Sequence, residues 1–155
     1  DILVTTMTRP EFLPLMKRSE WMGEGAGLLD VFGGHVHPDQ HARNGIPDVF
    51  HAIADEALTE LALLPEDFES VSCIGLLENW QTRKPELVFE TKIKLTMDEL
   101  RKTALSAKEN EEYIEILSVR SSADEVEGML KQQKASFSPV GYGCLALFGK
   151  LRNWW

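Results

Sequence analysis

Asp55, Glu56, Thr59 and Glu60 fall on one side of a segment whose other side carries Ile53, Ala57, Leu61 and Leu64. Carboxylates one turn apart share a helix face, so Glu56 and Glu60 can reach the same ion. In front of them stand the apolar run Leu28 to Phe32 and the Gly33-Gly34 pair. Carboxylates facing a Gly-Gly turn suit a hard, oxygen-seeking cation; the plain alternative is a solvated acidic face. Arg18, Arg83 and Lys84 carry charges that could hold phosphate oxygens, and Arg does so through its fork of donors. His35, His37 and His41 match no standard zinc spacing and no Cys joins them. They read as loop histidines, with His35 placed to touch a substrate. Glu78 and Glu90 sit on strand-like segments that could turn them towards a metal, and Trp80 follows one of these. A Trp there stacks on a base or sugar, or packs.

The balance of charge narrows the partners. A net charge of −9 is wrong for a nucleic-acid groove, which demands clustered Lys and Arg, and for an anionic membrane surface. An acidic protein that handles phosphates needs a divalent cation to offset the repulsion. With 155 residues, 43% of them hydrophobic, the chain is expected to form a single domain over 1–155 with its own core. Cys73 and Cys144 sit singly in apolar runs, which predicts buried free thiols, a reducing compartment and a cytoplasmic protein. The longest apolar run is too short to span a bilayer. The chain opens on Asp1 rather than Met, as a piece trimmed at its N-terminus would.

The elements that must position these residues are readable in outline. Asp1 to Met7 and Phe12 to Met16 predict two strands, paired as a hairpin, with Pro14 pushing the second to an edge. Leu28 to Phe32 predicts a third strand, and His35 to Gly45 a loop. Pro47 suits the first turn of a helix, continued by Val49, Phe50, Ile53, Ala57, Leu61 and Leu64 at helical spacing and ended at Pro65-Glu66-Asp67. Phe68 to Glu78 predicts a buried strand, and Leu87 to Leu95 a half-buried one. Thr96 to Glu99 forms a capping box for a helix to about Lys108. An acidic loop from Glu109 to Glu112 leads into a strand over Tyr113 to Val119. Ser122 to Glu125 predicts a second capping box, and Pro139 a last helix. Trp154-Trp155 suits docking on the domain or on a partner. The fold class is mixed α+β, a sheet between helices.

The segment Asp55-Glu56-Ala57-Leu58-Thr59-Glu60-Leu61-Ala62-Leu63 resembles the helical half of the signature of the Nudix hydrolase family, Arg-Glu-hydrophobic-any-Glu-Glu-any-Gly-hydrophobic. Glu56 and Glu60 match two of its glutamates. Thr59 stands in place of the third, Asp55 of the Arg and Ala62 of the Gly, and the spacing from Gly34 is longer than the signature allows. Phe12 to Ser19 and Gly27 to His35 are similar to the strands that precede the box, most of all in the divergent branch that hydrolyses UDP-glucose and UDP-galactose. The segments Thr96 to Lys102 and Ser138-Pro139 are similar to that branch too. Its members carry an N-terminal region that helps to hold the uracil, and this sequence has no counterpart of it.

The resemblance implies an α/β/α sandwich with a central mixed sheet and a Mg²⁺-dependent hydrolase, with Mn²⁺ as a substitute. The substrate would be a small nucleoside-diphosphate sugar, UDP-glucose or UDP-galactose, cut to UMP and the sugar 1-phosphate. Glu56, Glu60 and the Gly34 carbonyl would hold metal, Glu111 or Glu112 would activate water, and Arg18, His35, Arg83 and Lys84 would contact substrate. The replaced box residues also suit a catalytically silent domain that binds a nucleotide or a protein partner. A third reading keeps the enzyme and changes the substrate to ADP-ribose or another nucleoside diphosphate.

Overall fold

The computed structural model describes residues 2–6, 8–79 and 82–155. In chain order the elements are β1 (Ile2–Thr6), β2 (Phe12–Arg18), β3 (Leu29–Asp30), β4 (Ala42–Arg43), β5 (Ile46–Pro47), α1 (Val49–Leu61), β6 (Phe68–Asn79), β7 (Lys84–Ile93), α2 (Met97–Ala104), β8 (Tyr113–Arg120), α3 (Ala123–Gln132) and α4 (Pro139–Leu151). One sheet has the order β1-β7-β6, a second β3-β2-β8, and β4-β5 is a small hairpin. The first is mixed, because β1 runs parallel to β7 while β6 is antiparallel to it.

Helices pack against both sides of the sheets, although β6 has no fully buried residue and β4 and β5 are exposed. Met16, Phe89 and Ile116 pack with Ile53, Ala57 and Leu61 of α1 and Leu100 of α2. Leu13, Leu15, Val88 and Val119 pack with Val126 and Leu130 of α3 and Leu145 and Phe148 of α4. Sheets between two helical layers are what the predicted α+β sandwich requires. Each fully buried Leu or Phe contributes roughly 1.5–3 kcal/mol. Among the described residues no helix is long and apolar enough to cross a membrane.

Several expectations are corrected. β1 and β2 form no hairpin: β1 pairs with β7, and β2 with β3 and β8. Pro14 therefore lies on a central strand of its sheet, with 0% exposure on its neighbours Leu13 and Leu15. Pro47 ends β5 rather than starting the helix; Asp48 caps α1, its carboxylate accepting from His51 N at 3.0 Å. α1 stops at Leu61 because Ala62 turns left-handed (φ 53°), and Pro65–Asp67 forms a separate 3-10 turn. β6 is half-buried to exposed rather than buried, and Cys73 on it is exposed, whereas Cys144 is buried as predicted. Thr96 and Glu99 form the predicted box, though α2 ends at Ala104, short of Lys108. Ser122 precedes α3 without a side-chain capping bond. Trp80 lies outside the described residues.

The C-terminal residues dock on the domain. Trp154 meets Phe148 edge-on at 5.4 Å, and the Trp155 ring lies where a side chain on Gly149 would stand. Arg152 lies over the Phe148 ring and reaches Glu90 on β7 at 2.6 Å and Glu11, just before β2, at 3.6 Å. It thereby ties the two sheets together, and Glu90 is committed to it rather than to a metal. Arg152→Ala is expected to cost about 1–2 kcal/mol, since these charged hydrogen bonds are partly shielded from water. A lower urea midpoint at unchanged m-value would report it, and an unchanged midpoint would refute it.

Candidate active site

The start of α1 is anchored by the loop before it. His41 is buried (1% exposed), and its Nδ1 accepts from His37 N at 3.0 Å. Nε2 must then carry the proton, and it lies 3.3 Å from Asp55 Oδ2 on α1. The His41 carbonyl accepts from Asp48 N, the capping residue. This loop histidine is a structural pin, not a substrate contact.

From that anchor α1 aims its acidic side at the Gly-Gly turn. Glu60 is 1% exposed; its Oε2 accepts from Gly33 N at 2.8 Å, while its buried Oε1 has no partner. The Glu60 backbone carbonyl accepts from the Tyr113 hydroxyl at 2.9 Å. Burial and the nearby Glu60 push that phenol up to about 12. The Glu56 carboxylate lies directly against Gly34, occupying the space a methyl group there would need. Thr59, which stands where the box has its third glutamate, donates its hydroxyl to the Glu56 carbonyl at 3.2 Å.

The acidic loop closes on the same place. Glu109 N donates to the Thr59 carbonyl at 2.8 Å, Ser19 N to the Glu112 carbonyl at 2.9 Å, and Ser19 Oγ to the Glu111 carbonyl at 2.6 Å. These bonds set Glu109 and Glu112 opposite Glu56. Burial raises the Glu60 carboxyl well above the ordinary range; the Gly33 N–H opposes this, and Glu56, Glu112 and Glu109 add to it. Glu56 is raised by burial, then by Glu109, Asp55 and Glu112. Burial and Glu109 raise Glu112 against the pull of Arg18.

Gly34, His35, Glu56, Glu112, Arg18 and Lys84 line one cleft of about 640 Å³, with Glu60 sealed at its wall by Gly33. Two predicted residues do not join them. Glu111 is exposed and stands outside the cleft lining among the described residues, and Arg83 is exposed and paired with Glu78 at 2.7 Å. The cations that line the cleft are already partnered: Lys84 with Glu24 at 2.8 Å, Arg18 with Asp30 at 3.4 Å and Lys108 with Glu109 at 4.0 Å. Burial raises the Asp30 carboxyl, countered by Ser138 and Arg18. Glu109, Asp30 and Glu24 are cleft residues that sequence reasoning did not single out.

Among the described residues no three His, Cys, Asp or Glu side chains converge into a ready-made metal cage. The donors present nonetheless fit a hard cation. Glu56, Glu60 and the Gly34 backbone offer only oxygen, and an unpartnered oxygen on a buried carboxylate is costly until a cation or donor meets it.

No family model matches the chain. Over 113 residues it is 26% identical to the uridine diphosphate glucose pyrophosphatase NUDT22 of Mus musculus, an alignment covering 64% of this chain and 37% of that protein. The chain thus spans little more than a third of that relative's length. The structure superposes on DR0079 from Deinococcus radiodurans with a TM-score of 0.60 at 16% identity, covering 95% of this chain and 79% of the other. It matches the NUDIX domain of Shewanella oneidensis NrtR, crystallised with ADP ribose, with a TM-score of 0.58 at 12% identity, covering 99% and 84%. The chain has the Nudix fold.

Within that fold, the sequence resemblance to the UDP-glucose branch is matched by the similarity to NUDT22. The contact between the Nudix turn and helix is testable at Gly34. Gly34→Ala must displace the Glu56 carboxylate, the far end of a flexible side chain, so the fold should survive. For the activity proposed below we expect kcat to fall about a hundredfold, as small misplacements of catalytic groups do, with the melting temperature little changed. Full activity in this variant would show that the contact is incidental.

Proposed function

We propose that this chain is a divalent-cation-dependent diphosphatase that splits UDP-glucose or UDP-galactose into UMP and the sugar 1-phosphate. The observation that carries the reading is Glu60. It is a buried carboxylate with one oxygen on the Gly33 N–H and the other without a partner, one helical turn from Glu56 at the Gly-Gly turn.

Glu56, Glu60 and the Gly34 carbonyl would hold Mg²⁺ or Mn²⁺. Such a cation neutralises diphosphate oxygens and lowers the pKa of bound water. Glu112, raised by burial and by Glu109, is the residue we assign to take the proton of the attacking water, because a base works best with its pKa near the working pH. Glu111 is exposed and does not line this cleft whereas Glu112 does, so the choice between the two falls on Glu112. Arg18 and Lys84 would hold phosphate oxygens, exchanging part of their pairing with Asp30 and Glu24, and His35 would contact the substrate. Arg83, tied to Glu78, takes no part.

A specific observation favours a second reading. The NrtR domain of the same fold was crystallised with ADP ribose, and Thr59 spends its hydroxyl on the helix backbone rather than adding charge to the site. A weaker metal site would suit a domain that binds a nucleotide without cutting it. One assay separates the readings: UDP-glucose, UDP-galactose, ADP-ribose and other nucleoside diphosphates incubated with Mg²⁺, Mn²⁺ or chelator, with phosphoryl products identified. The expected result is UMP plus sugar 1-phosphate, lost with chelator. Preferred turnover of ADP-ribose would move the substrate, and tight binding without turnover of any compound would establish the silent module.

A further inference from the structure

A smaller recess of about 250 Å³ opens off the main cleft. Asn79, Glu86, Pro139 and Val140 line both spaces, so the two are continuous. Leu77, Pro139, Val140 and Gly143 give it apolar walls, and Glu86 brings a carboxylate to its mouth. The recess lies between the β6–β7 end of one sheet and the start of α4.

Two features suggest what it receives. A side chain on Gly143 would meet Leu77 Cδ1 at 2.9 Å. Glycine inside a helix costs about 1 kcal/mol relative to alanine, and here it lets α4 close onto the Leu77 side chain of β6, so that Leu77 and Gly143 together wall the recess. Lys84 and Glu86 alternate along β7 and share a strand face, roughly 7 Å apart. A cation for phosphate and an acceptor two residues further on match a nucleotide, whose ribose sets the phosphate and base a comparable distance apart. A flat ring with apolar faces and an N–H edge fits such a space: apolar walls take the faces, and a carboxylate accepts from the edge.

We propose that this recess holds the nucleobase, with Glu86 accepting from a ring N–H such as that of uracil. The assignment rests on the reading of the cleft as a nucleoside-diphosphate site, and equilibrium binding tests it without turnover. The affinities of UMP and of ribose 5-phosphate, which lacks the base, are measured by calorimetry for wild type, Gly143→Leu and Glu86→Ala, with melting curves for each. Wild type should bind UMP at least about tenfold tighter than ribose 5-phosphate, the range that one shaped pocket confers. Both variants should bring UMP down to the level of ribose 5-phosphate and leave the latter unchanged. Should Gly143→Leu fail to fold, Glu86→Ala, at the mouth of the cleft, decides alone. Equal wild-type affinity for the two compounds, no UMP binding, or equal losses for both compounds would overturn the assignment. Base-dependent binding without hydrolysis of any UDP-sugar would leave the recess standing and remove the proposed activity. Hydrolysis of UDP-glucose with UMP affinity untouched in both variants would do the reverse.

Discussion

Glu56→Gln is expected to lower UDP-glucose turnover about a thousandfold, some 4 kcal/mol of barrier, while raising the melting temperature of the metal-free protein. Glutamine keeps the size that fills the space at Gly34 but removes the charge. That charge is unfavourable without a cation beside it, because burial and then Glu109, Asp55 and Glu112 work against it. Loss of activity and gain of stability therefore come from the same carboxylate. This is the signature of a site strained for binding a cation rather than of a surface ion pair. The measurement is kcat with Mg²⁺ beside a calorimetric melt in chelator. Turnover within tenfold of wild type would remove Glu56 from the chemistry. A lower melting temperature would mean that its charge is stabilising.

The second large effect is on the pH profile of the metal-free protein. Glu56, Glu60 and Glu112 are all raised in the folded chain, each first by burial. For a carboxyl raised on folding, the native state binds the proton more tightly than the unfolded one. Its penalty is complete above the raised pKa and vanishes below the ordinary value of about 4.3, where both states are protonated. Metal-free protein should therefore become more stable as the pH falls from about 8 towards about 5, the reverse of the usual acid lability of salt-bridged carboxylates. Glu24 and Glu99 are lowered instead, but both are exposed and act only in the acid range. A melting temperature about 4 °C higher at the acid end is expected for a protein of this size. Saturating Mg²⁺ near pH 8 should raise the melting temperature and flatten the profile. A metal-free melting temperature that falls steadily from neutral pH downward would contradict the cluster.

Much of this site was legible because it is local. Glu56 and Glu60 sit one turn apart on an amphipathic helix, and the periodicity of Ile53, Ala57 and Leu61 places both on the face beside the core. The turn at Gly33-Gly34 stands out for the same reason: a paired glycine after an apolar strand marks a close approach of backbone to something else. What failed was long-range or depended on a neighbour. β1 resembles half of a hairpin until its true partner, β7, is known. Cys73 and the rest of β6 have the composition of a buried strand, yet none of its residues is fully buried. Glu109 was one acid in a run of acids until the loop's bonds to Thr59 and Ser19 turned it towards Glu56.

His41 had a signal that went unused. Asn44-Gly45, both at positive φ, join Ala42-Arg43 to Ile46-Pro47, and such a dipeptide is a strong hairpin marker. A hairpin there makes the stretch a folded unit and its inward histidine a core residue. The choice between Glu111 and Glu112 had no signal of any kind. Adjacent residues point to different sides, and only the register of the loop decides which one enters the cleft.

The parallel ladder that joins Ile2 to Phe89 and Thr6 to Ile93 bears on how the chain assembles. It closes only after α1 and the β6–β7 pair lie in the intervening chain, and contacts of such long sequence separation form slowly because the loop entropy is lost before they reward it. Until then β7 presents an open edge carrying Phe89 and Ile93, the kind of edge that recruits other chains. β1 is thus the late strand that seals the sheet, and refolding yield should fall with rising protein concentration for as long as β7 waits for it.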